Sequence, residues 1–185
     1  TEQDEVKTNP FKRCPLCDGR LTLEETKSRF LLKCHKCGRF PSVFLTRSEI
    51  EKNMPNILIT NPDMMHLRLS NFWSHSFFGK PVARCKACLS TSYKRENLID
   101  AATGLCKKCG NEVVTVQSRP RFLVIDEVHL FRGSFGGHVG TMVSELCQLI
   151  REYVGTEPIV LGSSATIDHR DAPKVGQHLL GKDPI

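Results

Sequence analysis

No stretch of this 185-residue sequence approaches the roughly 18 consecutive apolar residues that a membrane-spanning helix needs. The N-terminal segment "TEQDEVKTNP" is polar and acidic, so it has no resemblance to a secretory signal peptide. Hydrophobic residues make up 39% and charged residues 25%, a balance typical of globular proteins. These absences predict an intracellular protein without a membrane partner, cytoplasmic in a bacterium and cytoplasmic or nuclear in a eukaryote.

The sequence also lacks a strong excess of charge of either sign. Its formal net charge is +6, and two Zn²⁺ ions held by eight thiolates would lower that charge to about +2. A general basic surface for nucleic acid is therefore not indicated. Any such contact would come from local patches such as "TSYKREN" and "CKKCG".

Cysteine is abundant, and eight of the nine residues form four Cys-x2-Cys pairs. Two residues between thiolates let both sulfurs reach one tetrahedral ion, whereas a disulfide framework has no need of that spacing. An ion bound by two Cys-x2-Cys pairs that are neighbours in sequence costs less chain entropy than an ion bound across the two clusters. Binding across the clusters stays an alternative. The remaining residue, Cys147, lies in an amphipathic stretch and is expected in the core. The predicted ligands are Cys14, Cys17, Cys34 and Cys37 for the first Zn²⁺, and Cys85, Cys88, Cys106 and Cys109 for the second.

Each cysteine cluster has the pattern of a zinc ribbon. In the first, "RLTLEE" and "RFLLK" between the pairs predict the two strands of a hairpin, and the second has a less regular middle. A ribbon can serve only to hold a small insert together, or it can present a surface to nucleic acid or a partner protein. The sequence leaves both roles open.

Outside the ribbons, short apolar runs at 57–59, 122–125 and 159–162 predict strands. "GSFGGHVG" is expected to be a flexible lead into a helix that carries apolar residues from Val139 to Tyr153 on one face and ends at Gly155. Fully apolar strands joined by a helix predict an α/β fold whose parallel sheet is covered on both faces. The strand ends are followed by "TNPD", "DEVH" and "SSAT", so polar residues gather at one edge of the sheet.

Two adjacent acids, Asp126 and Glu127, end the strand at 122–125. By themselves they could be the acidic first turn of a helix. However, "DEVH" resembles the DExH motif of superfamily-two helicases, "SSAT" resembles their SAT motif, and "TNPDMMH" resembles the preceding motif that touches the nucleic-acid backbone. The wider phrases "NILITNPDMMHL" and "VIDEVHLFRGSFGGHV" are similar to large DNA-repair and anti-phage defence helicases related to the RecQ-like group, which often carry zinc-binding cysteine segments.

The resemblance implies a RecA-like motor domain that uses ATP and Mg²⁺, and it favours DNA as the nucleic acid. It implies that Asp126 holds Mg²⁺, that Glu127 orients and deprotonates the attacking water, and that His129 links this site to a moving interface. The implied coupling residues are Ser164, Ala165 and Thr166. The implied nucleic-acid contacts are Thr60, Asn61, Pro62 and Asp63.

The phosphate loop G-x-x-x-x-G-K-[ST] that such a motor needs is not in this sequence. "GQHLLGKD" at 176–183 fits as far as the lysine, but Asp183 replaces the required hydroxyl and the segment follows a helix-like stretch. We therefore expect a fragment of a first motor domain that does not hydrolyse ATP by itself. The expected parts are a ribbon insert at 1–44, a motor segment at 45–72, a second ribbon insert at 73–117 and a motor segment at 118–185.

Two alternatives to this interpretation stay open. One is a non-enzymatic zinc-ribbon adaptor for nucleic acid or protein on a motor-like scaffold, although an adaptor has no reason to keep Glu127. The other is a split helicase, whose phosphate loop lies on a partner subunit instead of on the remainder of the same polypeptide.

Overall fold

The computed structural model describes residues 12–25, 30–38, 49–50, 54–167 and 170–180. The chain divides into two compact units, residues 1–57 with 83–114 and residues 58–82 with 115–185. Among the described residues, no helix is both long enough and apolar enough to cross a bilayer.

In chain order the elements are β1 (Leu21–Glu25), β2 (Phe30–Cys34), α1 (Pro62–Ser70), a 3₁₀ turn (Phe72–Phe78), β3 (Val82–Cys85), β4 (Thr91–Ser92), α2 (Arg95–Leu98), β5 (Val113–Val116), β6 (Phe122–Ile125), a 3₁₀ turn (Val128–Leu130), α3 (Gly133–Val154), β7 (Ile159–Gly162) and α4 (Ala172–Leu180).

The division into units differs from the boundaries expected from the sequence. Residues 54–57 group with the first unit, whereas the sequence interpretation placed them in a motor segment. The 3₁₀ turn Phe72–Phe78 belongs to the second unit, whereas the sequence interpretation placed residues 73–82 with the second ribbon. The boundary expected at 44/45 lies outside the described residues. The domain limits expected from the sequence stay predictions.

The first cysteine cluster folds as the predicted hairpin. Strands β1 and β2 pair antiparallel, with Leu21 opposite Cys34. Leu21 and Leu32 are buried against Cys14 and Cys34. So few apolar residues cannot stabilise a domain by burial alone, which makes the four sulfurs the natural centre of this small module.

The second cluster is a three-stranded sheet in the order β4-β3-β5, with the short helix α2 between the cysteine pairs. Its small core is formed by Ala83, Leu98 and Val113 together with Cys85 and Cys106. The irregular middle noted in the sequence therefore contains one turn of helix and a two-residue strand instead of a long hairpin.

The second unit contains the expected strand–helix–strand arrangement. Strands β6 and β7 pair in parallel, and α3 connects them. The buried residues of α3 follow a helical period and pack on Ile125, and Cys147 lies in this core as predicted. As expected, α3 ends at Gly155, whose left-handed backbone forms the cap.

The strand predicted at 57–59 is wrong. These residues form no strand, and Ile59 is 92% exposed. Within the described residues no strand pairs with this run, and an extended segment is not stable as a strand without a hydrogen-bonding partner. The chain instead enters α1, and "TNPD" is the start of that helix instead of a turn after a strand.

The prediction of strands covered on both faces is also wrong for the described residues. Ile125 is buried beneath α3, but Val124 is 62% exposed and Phe122, Ile159 and Leu161 are exposed as well. Side chains of a strand alternate between faces, and α3 covers only one of them. The continuous apolar run correctly predicted a strand, but it did not show which face the described residues cover.

The glycine-rich segment "GSFGGHVG" is part of α3 and not a flexible lead, so that expectation is wrong too. Its glycines allow close packing: a Cβ at Gly136 would lie 2.4 Å from the carbonyl oxygen of Phe131. Because the obstacle is backbone, it cannot move aside cheaply. Gly136 therefore lets the first turns of α3 approach the chain that leaves the DEVH segment.

We predict opposite effects for alanine at two adjacent glycines of α3. Gly136→Ala should lower the free energy of unfolding by about 1–3 kcal/mol because the new methyl group collides with backbone. Gly137→Ala is the matched control; its Cβ would meet nothing within 4 Å, and it should raise stability by about 0.5–1 kcal/mol. Urea denaturation followed by circular dichroism measures both, and equal effects of the two substitutions would contradict the proposed packing.

Candidate functional site

The loop after β6 carries the DEVH residues in an unusual backbone conformation. Glu127 has φ +53, a left-handed geometry that is uncommon for a residue with a side chain, and the 3₁₀ turn Val128–Leu130 follows it. The loop is tied to the neighbouring strand, since the Val128 N–H donates to the Ser163 carbonyl at 3.0 Å. The backbone therefore holds the two acids at the carboxyl edge of the β6–β7 pair.

Asp126 is an exposed carboxylate whose Oδ1 accepts two hydrogen bonds. The Ser163 hydroxyl donates one, and the Glu127 N–H donates the other at 2.9 Å. Both bonds lower the pKa of Asp126 below its usual value, and the bond from Ser163 has the larger effect. Both bonds fall on Oδ1, so Oδ2 lies outside this network in the described part of the chain. An ionised carboxylate with one oxygen left over is a suitable donor for Mg²⁺.

His129 lies at the centre of a second set of contacts. Its Nδ1 is 2.9 Å from Ser164 Oγ and 3.2 Å from Glu127 Oε2, so a protonated Nδ1 donates to both. Thr166 contacts Ser164 through its backbone N–H, at 3.2 Å, and its hydroxyl. Ser164 therefore contacts the DEVH loop directly, and Thr166 is connected to that loop only by way of Ser164. Ala165 lies exposed in the same turn.

Ser163 is the residue at this edge that the sequence interpretation did not select. It donates to Asp126, and its own N–H donates to the Ile125 carbonyl at 2.9 Å. Its role follows from the register of the two strands, which the sequence alone does not give. In a parallel pair with Ile125 opposite Gly162, the next residues along each strand, Asp126 and Ser163, also face each other.

The "TNPD" residues form the start of α1. Asn61 is the N-cap, and its Oδ1 accepts from the Met64 N–H at 2.8 Å. Pro62 occupies the first turn and Asp63 is acidic there, both favourable at a helix N-terminus. Thr60 precedes the cap and is exposed. The cap therefore accounts for Asn61 structurally, and contact of these residues with nucleic acid stays a prediction.

A cleft of about 370 Å³ adjoins His129 in the second unit. Its lining combines apolar side chains with the cationic groups of Arg132 and Lys174. His129 therefore joins the contacts at the strand edge to a concave surface completed by α4. The lining residues are Val128, His129, Phe131, Arg132, Gly133, Ile167, Lys174 and Val175.

The eight paired cysteines form two groups of four, each made from one cluster of the sequence. Within each group the four sulfurs lie within 4.8 Å of one another. The Sγ–Sγ distances are 3.8 Å for Cys14–Cys37 and 3.7 Å for Cys88–Cys106, with 3.3 Å for one further pair in each group. A tetrahedral ion with Zn–S bonds of about 2.3 Å requires sulfurs about 3.8 Å apart. Both groups therefore fit Zn²⁺, and the local pairing is the one predicted.

Hydrogen bonds in the turns favour the thiolate form of one buried or half-buried cysteine in each group, whereas burial and neighbouring sulfurs raise the pKa of Cys17 and Cys85. The N–H of Cys37 and, more weakly, that of Lys36 lower the pKa of Cys34 to about 6 despite its burial. The side chain and then the backbone of Ser90 lower the pKa of Cys88 to about 6. A thiolate is the form that binds metal, so each turn favours the ligand form of one cysteine.

We predict that zinc content follows these two groups and ignores Cys147. Native mass spectrometry should show two zinc ions in the unaltered chain and one after the double substitution Cys34→Ala/Cys37→Ala, which removes one turn's ligands. Cys147→Ala is the control and should keep both ions because its thiol lies in the core of the second unit. Loss of zinc from the Cys147 variant, or no zinc in the unaltered chain, would contradict the assignment.

Comparisons with known proteins relate this chain to helicases. No family model matches it. It is 39% identical over 62 residues to "Uncharacterized ATP-dependent helicase YprA" of Bacillus subtilis (strain 168), a match that covers 34% of this chain and 8% of that protein. Among solved structures, the "Crystal Structure of DUF1998 helicase MrfA" matches with a TM-score of 0.45 and 28% identity, covering 75% of this chain and 16% of that one. The chain thus spans a small part of the helicases that it matches.

Proposed function

We propose that this chain is part of an ATP-dependent helicase motor of RecA-like fold that acts on nucleic acid, with DNA as the preferred partner. The observation that carries the proposal is the hydrogen bonding between the two loops at the β6–β7 edge, Asp126 to Ser163 and His129 to Ser164. Sequence similarity to an ATP-dependent helicase supports it. The geometry gives a reason for two adjacent acids at the end of a strand.

In this proposal the two acids divide the chemistry. Asp126, ionised and with Oδ2 outside the loop network, would hold Mg²⁺ through its water shell at the β- and γ-phosphates of ATP. The ion supplies neutralisation of the charge on the phosphates. Glu127 would orient the attacking water and accept its proton, and its fixed left-handed backbone limits where that carboxylate can lie.

The coupling role would belong to His129 and the SAT residues. A change at Glu127 alters the charge next to His129 Nδ1, and the same nitrogen contacts Ser164. Ser164 in turn holds the Thr166 backbone. Ala165 lies between them in the same turn and is exposed. In this proposal the series of contacts would link a bound nucleotide to the surface around α4.

The route to nucleic acid would run through the shared core. Met65 and Leu69 of α1 pack against the core that contains Ile125 and Val139. Helix α1, which begins at the "TNPD" residues, and the DEVH loop, through Val128, are therefore anchored in one hydrophobic cluster. A shift of the strand edge can be transmitted to residues 60–63, which we propose contact the phosphate backbone.

For the two ribbons we propose Zn²⁺ in both groups and a mainly structural role. Some of their exposed cations are engaged within the ribbons: Lys33 pairs with Glu24 at 2.8 Å, and Lys107 donates to the Glu96 carbonyl at 2.9 Å. Cations committed in this way are less available to phosphates. A role in holding each insert together therefore has more support than a role in nucleic-acid contact.

The phosphate loop would come from elsewhere in a longer polypeptide or from a partner subunit. Gly176, where the near-match to that loop begins, lies inside α4. A helical residue cannot supply the open backbone turn that cradles phosphates.

We also propose that the protein acts inside the cell, in DNA repair or antiviral defence.

We predict that ATP hydrolysis by the assembled motor, with its phosphate loop present, depends on Glu127. Glu127→Gln should lower the turnover number by about 10²- to 10⁴-fold, because the amide cannot accept a proton from water. Glu145→Gln, an exposed glutamate of α3, is the matched control and should leave turnover unchanged. The measurement is steady-state phosphate release with and without single-stranded DNA.

Two results would contradict this proposal. Turnover by the 185-residue chain alone, abolished by Glu127→Gln, would show that no external phosphate loop is needed. An assembled motor whose turnover ignores Glu127 would favour an adaptor on a motor-like scaffold.

We further predict that Ser164→Ala separates ATP hydrolysis from its stimulation. Removing the hydroxyl deletes the contacts with His129 Nδ1 and Thr166, while the Asp126–Ser163 bond remains. Basal turnover should fall less than about threefold, and stimulation by single-stranded DNA should be largely lost. Ser144→Ala on the exposed side of α3 should preserve stimulation. Normal stimulation in the Ser164 variant would refute the coupling role.

A further inference from the structure

Two large aromatic side chains are exposed at the start of the 3₁₀ turn Phe72–Phe78. Trp73 is 69% exposed and Phe72 is 50% exposed, and their rings meet edge to face with centroids 6.1 Å apart. Burying one such ring contributes substantially to folding, so aromatic rings usually lie inside a protein. The two adjacent exposed rings form an apolar patch that a flat ligand can cover.

The turn that carries this pair is held rigidly. Asn71 Oδ1 accepts from the Trp73 N–H at 3.0 Å, and Phe77 and Phe78 are buried behind it. Ser118 Oγ donates to the Phe77 carbonyl at 3.0 Å, and Gly79 closes the turn with φ +105, where an added Cβ would lie 2.3 Å from Val154. The exposed rings therefore belong to a fixed platform.

The surroundings of the pair are basic. The Lys80 ammonium lies 3.0 Å from the centroid of the Phe72 ring, and burial lowers its pKa. The Arg68 guanidinium lies 5.0 Å from the centroid of the Phe77 ring. Asp63 is the single acid in residues 58–82, which carry both of these cations. An occupant with negative charge and a flat apolar face matches this combination.

We propose that Trp73, supported by Phe72, stacks on an unpaired base of single-stranded nucleic acid. Every base offers a π-face, so an aromatic platform beside cations binds a single strand without requiring a particular sequence. The nine residues of α1, about 13 Å long, separate this platform from the "TNPD" residues proposed to contact phosphates. The inference rests on nucleic acid being the partner under the proposed function and adds a base-contacting residue to it.

The chain offers a direct probe, because Trp73 is its single tryptophan. The zinc-loaded chain is titrated with a single-stranded oligothymidylate and, separately, with a blunt duplex, while tryptophan emission and fluorescence anisotropy of a labelled strand are recorded. Trp73→Phe keeps a ring at the position. Trp73→Leu keeps apolar character without a π-face, and Phe135→Leu, an exposed aromatic of α3, is the matched control.

Stacking predicts that the single strand quenches Trp73 emission more than the duplex does. Trp73→Leu should weaken binding of the single strand about 5- to 100-fold, whereas Trp73→Phe and Phe135→Leu should stay within about threefold of the unaltered chain. Circular dichroism melting of each variant verifies that the fold is kept, as expected for an exposed residue.

Other outcomes overturn the inference in distinguishable ways. If the chain binds the strand without quenching and Trp73→Leu binds equally well, the rings are a protein contact and the proposed function is untouched. If the Leu and Phe variants weaken binding equally, the shape of the tryptophan matters and base stacking does not. If the chain binds no nucleic acid, the stacking role of Trp73 is refuted. The Glu127 turnover measurement on the assembled motor then still tests the proposed function.

Discussion

The hydrogen bonds that join the ends of β6 and β7 are the constraint on which the proposed site depends. The parallel pairing ends with Ile125 opposite Gly162, and the next residues, Asp126 and Ser163, are joined by a hydrogen bond. Backbone bonds at 2.9 and 3.0 Å fix the Ser163 main chain between Ile125 and Val128. With the backbone fixed, the side-chain contacts of Asp126 and His129 are consequences of register. An exposed pair of acids thereby gains a defined geometry that its own loop could not supply.

The carboxyl edge of the β6–β7 pair is supported by the hydrophobic core beneath it. The apolar face of α3 covers Ile125, and α1 adds Met65 and Leu69 to the same core. Gly136 allows the first turns of α3 to approach the chain just after the DEVH loop. The DEVH loop, α3 and α1 thus share one packed cluster, through which the proposed nucleotide site would be linked to the proposed nucleic-acid contacts. The ribbons contribute their own small cores, centred on sulfur.

The parts of the structure that local chemistry determines could be predicted from the sequence. The spacing of the cysteines gave both four-sulfur groups, and the apolar period gave α3 with its cap at Gly155. Other features depend on neighbours and could not be read locally. Residues 57–59 have the apolar character of a strand but pair with no strand among the described residues. In the apolar run at 122–125, only one face of the strand is buried. Ser163 was missed because its role arises from cross-strand register and not from its own type.

Amide hydrogen exchange on the assembled motor, with and without ATP and Mg²⁺, would test the central claim most directly. The account predicts that binding of the nucleotide slows exchange in residues 126–129 and 163–166 together, because hydrogen bonds join the two loops. Ser164→Ala should leave the protection of 126–129 and reduce that of 163–166. Protection of one loop alone in the unaltered protein, or of neither, would contradict the claim that these strand ends form one nucleotide-responsive site.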